Sequence, residues 1–147
     1  MTGGRLKRLK KFLNETFLLT YGDGLSDIDL KKLYNFHKRN KKMVTLTAVR
    51  PPARFGVIKI SGKLVKFFRE KNSLDTGWIN GGFFVIEPKF IDLIKNDKTF
   101  LEKEPFTLAT KKKQLLAYKY NGFWQCMDTL RDKFILEKKI KQKSYFE

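Results

Sequence analysis

The sequence predicts an α/β protein built on a mixed, mostly parallel sheet with antiparallel hairpin additions. Three observations lead there. Apolar β-rich runs alternate with helical patterns through the first half, as parallel strands joined by crossovers require. Two further apolar runs flank the turn "SGK" at 61–63, a hairpin signature. A 41% hydrophobic and 14% aromatic composition is too apolar for a disordered chain, yet no apolar run approaches a membrane span. No internal repeat or low-complexity linker divides the 147 residues, which read as one domain, 1–147.

In order, "GGRLKRLKKFL" (3–13) spaces Leu6, Leu9, Phe12 and Leu13 at helical intervals and predicts a short amphipathic helix. "TFLLTY" (16–21) reads as a buried strand. "LSDIDLKKLYNFHKR" (25–39) offers an N-cap at Ser26 or Asp27, and Ile28, Leu30, Leu33, Tyr34 and Phe36 form its apolar stripe. "KMVTLTAVR" (42–50) is strongly β and is stopped by Pro51-Pro52. The hairpin "FGVIKI"–"SGK"–"LVKFFRE" follows, then a strand, "GWINGGFFVIE" (77–87), interrupted by Gly81-Gly82. Pro88 opens a helix through Ile94. A helix near 103–113, a strand at 115–120 and a helix at 129–141 complete the reading.

The charge is the strongest compositional signal: 32 basic against 15 acidic residues give +17. That suits an anionic partner. However, 25 of the 32 are Lys, spread in short groups, while specific phosphate readout favours the planar arginine fork. A lysine bias on solvated faces is therefore the preferred explanation, and nucleic acid is disfavoured as a partner. One cysteine and one histidine exclude a disulfide framework and a Cys/His zinc site. With no signal-peptide pattern at the start, the expected compartment is the cytoplasm. His37, among charged residues of a helix, is expected at the surface. Cys126, beside Trp124 and Met127, reads as packing.

Four stretches carry possible chemistry. "YGDG" presents Asp23 between two glycines where a strand leaves the sheet, either as ordinary turn chemistry or as a ligand in the crevice beyond strand ends. "FREK" ends a strand with Glu70 and Lys71, the lysine being a solvated strand end or a phosphate contact. "WINGGFF" places Asn80 before two glycines, as a turn amide or at a close approach by a ligand. "GFWQCMDTLRD" places Asp128 before the last helix, as its N-cap or as a second carboxylate. Asp23 and Asp128 together could hold one Mg²⁺, which takes oxygen ligands and leaves positions for substrate phosphates.

The ordered phrases "MTGGRLKR", "TYGDG", "PPARFG", "EK", "WINGGFFVIEP", "EPFTLA" and "GFWQCMDTLRDK" resemble the sugar-phosphate nucleotidyltransferases over nearly the whole chain. Within them, "INGGFFV" and "MDTLRDK" match the branch that joins CTP and glucose 1-phosphate. The resemblance implies a partial Rossmann-like nucleotidyltransferase fold and Mg²⁺-dependent formation of CDP-glucose and pyrophosphate, serving surface polysaccharide (O-antigen) synthesis. It implies that Asp23 and Asp128 hold the metal, and that Lys71 pairs with the sugar phosphate. Glu70 would accept from sugar hydroxyls, Asn80 and Gly56 would line the sugar pocket, and Arg5 and Gly22 would meet the nucleotide. The glycines before Arg5 would lie near the base. Relatives assemble into oligomers, so a homo-oligomer is implied for the full-length enzyme.

The chain departs from the family pattern at Asn72 and Cys126, where the family has proline. It also lacks the family's opening strand and Gly-rich phosphate loop. Roughly 100 residues, a small domain's worth, are therefore expected to be missing before Met1. Two other readings follow: a truncated non-catalytic remnant, and a basic nucleic-acid-binding module with steeply salt-dependent binding.

Overall fold

A computed structural model describes residues 1–51, 57–69 and 77–141. Its centre is a four-stranded sheet in which Phe17–Thr20 (β1), Ile79–Ile86 (β6), Val44–Val49 (β3) and Leu115–Lys119 (β7) lie side by side in that order. β6 pairs antiparallel with both β1 and β3, and β3 pairs parallel with β7. Three strands therefore run one way, with β6 reversed between them. The carboxyl ends of β1, β3 and β7 share one edge with the amino end of β6. The Asp23 loop leaves β1 there.

β6 holds the layers together. Its side chains alternate across the sheet, so Phe84 and Ile86 enter one core with Leu6, Phe90, Ile94, Leu101, Phe106 and Ala109. Val85 points the other way, to Ile28 and Leu33. Each of the leucine, isoleucine, valine and phenylalanine side chains contributes about 1.5–3 kcal/mol on burial. The first face is covered by Thr2–Arg8 (α1), a 3-10 turn at Pro88–Leu93 and Glu104–Lys111 (α3), the second by Leu30–Asn40 (α2). Outside this sheet, Gly24–Ser26 (β2) pairs with Trp124–Cys126 (β8), and Val57–Ser61 (β4) with Leu64–Arg69 (β5), turning at 62–63 as expected. The last helix is Leu130–Lys141 (α4).

Several sequence expectations are corrected. β1 is a half-buried edge strand, alternating in burial, with Leu18 exposed. Among the described residues nothing pairs with its outer edge. α1 does not pack through a full leucine stripe, since Leu6 is buried while Leu9 and Phe12 are exposed. Its contact face is Gly3-Gly4: a Cβ on Gly3 would lie 2.8 Å from the Thr99 carbonyl oxygen, and one on Gly4 only 2.3 Å from that of Asp97.

α2 is capped by Asp29, whose carboxylate accepts the Lys32 N–H at 2.9 Å, not by Ser26 or Asp27. Ser26 belongs to β2, and Asp27 accepts a hydrogen bond from the Tyr120 hydroxyl. The helix buries Leu33 and His37, one turn apart, while Leu30 and Tyr34 are exposed. His37 is thus fully buried, not at the surface. Its Nδ1 lies 2.8 Å from Thr45 Oγ1 and its Nε2 3.2 Å from Glu87 Oε1. Both ring nitrogens have partners, which is what permits burial of a polar ring.

Candidate functional site

The two carboxylates read as a metal pair emerge from adjacent strand ends. β2 begins at Gly24, opposite Cys126 at the end of β8. One step further out, the Met127 N–H donates to the Asp23 carbonyl at 2.9 Å. Asp23 and Asp128 therefore leave the ladder at the same end, on neighbouring backbones, and both are exposed.

The capping role considered for Asp128 belongs to other residues. Thr129 Oγ1 accepts the Asp132 N–H at 3.2 Å, while Asp132 Oδ2 accepts the Thr129 N–H at 3.1 Å and its hydroxyl at 2.8 Å. This reciprocal box satisfies the start of α4 and leaves the Asp128 carboxylate outside the cap. Among the described residues no three His, Cys, Asp or Glu side chains gather as a metal cluster. A pair of carboxylates still fits Mg²⁺, which is held by one or two of them with substrate phosphates and water completing its shell.

Arg5, Gly22 and Asp23 share a cleft of about 600 Å³ at the outer end of β1, walled by Leu6, Leu9 and Glu102. Arg5 reaches it from the exposed side of α1. A Cβ on Gly22 would meet nothing within 4 Å, so the loop is open to an approaching group there. Asp128 and Asn80 do not line this cleft. Gly56, Glu70 and Lys71 lie outside the described residues.

Asn80 stands at the amino end of β6, paired with Ala48 of β3. Its Oδ1 accepts the Gly82 N–H at 2.9 Å, so the turn-amide reading holds for that oxygen. Between Leu46↔Phe84 and Ala48↔Asn80 the register advances two residues on β3 and four on β6, placing a bulge at the two glycines. Gly82 takes φ +78°, which a side chain would resist. The close approaches at this bulge come from protein atoms. Val49 and the Thr47 carbonyl crowd Gly81, and the Tyr21 ring crowds Gly82. The bulge carbonyls then anchor the start of the Asp23 loop and the β8 strand beside it. Gly81 accepts the Trp124 Nε1–H at 2.8 Å, and Gly82 accepts the Tyr21 N–H at 3.0 Å.

Sequence reasoning missed Tyr21, Thr2 and Glu102. The Tyr21 hydroxyl donates to Glu102 Oε1, and Thr2 Oγ1 donates to Glu102 Oε2 at 2.9 Å. Burial, then the Glu102 carboxylate that accepts its proton, push the Tyr21 phenol well above its usual pKa. It stays protonated and donating across the physiological range. Tyr21 and Thr2 sit inside the recognisable phrases "TYGDG" and "MTGGR", but nothing local to "FLEKEP" singles out Glu102 from its charged neighbours.

Comparison with known proteins shows the family. Residues 5–141 match the Nucleotidyl transferase family. The glucose-1-phosphate cytidylyltransferases of Salmonella typhi and Salmonella typhimurium are each 51% identical over 139 residues, covering 93% of this chain and 54% of theirs. The chain thus spans about half the length of these curated relatives. The crystal structure of HddC from Yersinia pseudotuberculosis superposes with a TM-score of 0.67 at 21% identity, over 95% of this chain and 62% of that one, a likeness of fold.

Proposed function

Because the chain belongs to the Nucleotidyl transferase family, we propose that it carries the metal and sugar-phosphate contacts and part of the nucleotide contacts of a site that makes CDP-glucose from CTP and α-D-glucose 1-phosphate. A phosphate oxygen of the sugar attacks the α-phosphorus of CTP in line. A new P–O bond forms, the bond to the β-phosphate oxygen breaks, and pyrophosphate leaves with that electron pair. No covalent enzyme intermediate is needed, so the protein's work is positioning and charge neutralisation.

In this reading Asp23 and Asp128 hold the cation. Mg²⁺, when bound there, supplies charge neutralisation between nucleotide and sugar phosphates. Arg5 contacts the nucleotide from α1, and Gly22 leaves room for it. Lys71 meets the sugar phosphate as a point charge, Glu70 accepts from sugar hydroxyls, and Asn80 and Gly56 line the sugar pocket. A Gly-rich loop supplied by a further amino-terminal segment would grip the triphosphate with its backbone N–H groups. Among the described residues no helix is long and apolar enough to cross a membrane. In this reading the reaction is cytoplasmic, its product feeds surface polysaccharide, and the complete enzyme is a homo-oligomer.

The observation that most supports the reading is the Met127–Asp23 backbone bond, which brings the two carboxylate-bearing loops side by side. The test is pyrophosphate release from CTP and glucose 1-phosphate with Mg²⁺. It uses the chain alone and the chain completed by the amino-terminal portion of the Salmonella typhi relative. Turnover only after completion is the expected result. Absence of turnover by the completed, folded enzyme overturns the proposal.

A further inference from the structure

We propose that Glu102 is a positioning residue for the nucleotide side of the site, tying the helix that carries Arg5 to the loop that carries Asp23. The inference rests on the function proposed above for what the cleft holds. Glu102 uses both oxygens: one accepts the Tyr21 hydroxyl, the other the Thr2 hydroxyl at 2.9 Å. Tyr21 precedes Asp23 by two residues. Thr2 lies three before Arg5, a spacing that puts both on neighbouring positions of one helical face. All five residues line the same cleft.

Each hydroxyl is itself fixed. Thr2 Oγ1 accepts the Leu101 N–H at 2.9 Å, which sets its rotamer. The Tyr21 ring stands edge-on to Phe84 at 5.2 Å and against the bulge at Gly82. Both carboxylate oxygens of Glu102 are turned onto protein hydroxyls, so it acts as a double acceptor and holds the two walls in register.

The test is amide hydrogen exchange on the 147-residue chain, read over Arg5–Arg8 of α1, where the Arg5 N–H donates to the Met1 carbonyl, and around the Asp23 loop at the Tyr21 and Met127 amides, which donate to the Gly82 and Asp23 carbonyls. Glu102→Ala is expected to speed exchange in both segments together, and Glu102→Gln, which keeps an acceptor for Tyr21 and a partner for Thr2, to restore most of the protection. Acceleration in neither segment or in one alone, or Gln behaving as Ala, overturns the inference. In the completed enzyme, Glu102→Ala should raise KM for CTP about threefold to tenfold, the range for losing an ordinary net hydrogen bond, and leave KM for glucose 1-phosphate unchanged. Equal rises for both substrates also overturn it. A wild-type enzyme that never turns over defeats the proposed function instead, and the exchange result still decides the tie.

Discussion

Met127 donates its backbone N–H to the carbonyl oxygen of Asp23 at 2.9 Å, so the loop after β1 and the segment before α4 form one structural unit despite a hundred intervening residues. The short β2–β8 ladder sets their register, and the Gly81 carbonyl fastens it to the main sheet through Trp124. Asp23 and Asp128 flank this unit, with neither carboxylate used to cap a helix.

That division of labour predicts separable effects. In the completed enzyme, Asp23→Asn and Asp128→Asn should each lower kcat by about 100-fold or more, the scale for removing a charge-stabilising group. Each should shift unfolding by no more than about 0.5 kcal/mol, as exposed polar changes do. Asp132→Ala should do the reverse, costing about 1 kcal/mol of stability through the lost cap. Parallel kinetic and thermal-unfolding measurements distinguish them. An Asp128→Asn variant that loses stability as Asp132→Ala does would assign the cap to the wrong residue.

The buried His37 predicts an acid-sensitive fold. Burial is the main cause that lowers its pKa below the ordinary 6.5, partly offset by the Glu87 carboxylate, with Lys38 and Lys89 opposing protonation. Neutral His37 donates Nε2–H to Glu87 and accepts the Thr45 hydroxyl at Nδ1. The unfolded chain then binds a proton more readily than the folded one. Stability is therefore at its full value above pH 6.5 and falls as the pH drops from there through the folded pKa. Glu87 is desolvated, but hydrogen bonds from Thr16, Lys38 and His37 hold it below its usual 4.5, so a second loss begins only near that value. Denaturant midpoints measured across pH should show both steps. His37→Gln should abolish the first and keep the second. An unchanged first step in that variant would mean another group titrates there.

The same histidine shows where reading by pattern stops. β3, the hairpin and β6 were readable because β-branched and aromatic runs bounded by Pro and Gly leave few other structures. The buried face of α2 departs from its apolar stripe because a polar ring with two partners, Thr45 of β3 and Glu87, belongs to the core. β2 and β8 are three residues each, too short to show a period, so the contact between the Asp23 and Asp128 loops had no local signal. Asp23, Arg5 and Gly22, which share the cleft, sit in distinctive phrases. Glu102 was missed because its importance comes from Tyr21 and Thr2, which are distant in sequence.

Two glycines near the cleft should respond in opposite ways to a single added methyl. On Gly4 the new Cβ would lie 2.3 Å from the Asp97 carbonyl oxygen and 2.5 Å from its Cα, both backbone atoms that cannot rotate away. Gly4→Ala should therefore force α1 off its seat and cost about 1–3 kcal/mol, the usual range for overpacking. Arg5 should lose its place in the cleft as a consequence. On Gly22 the same methyl meets nothing within 4 Å, so Gly22→Ala should leave thermal unfolding unchanged or raise it slightly through the stiffer unfolded chain. If nucleotide passes close to that loop, Gly22→Ala should nonetheless raise KM for CTP in the completed enzyme while the fold stays intact. Thermal unfolding and CTP kinetics on the two variants give four readings. A Gly22→Ala enzyme with wild-type KM for CTP would remove this loop from the nucleotide path.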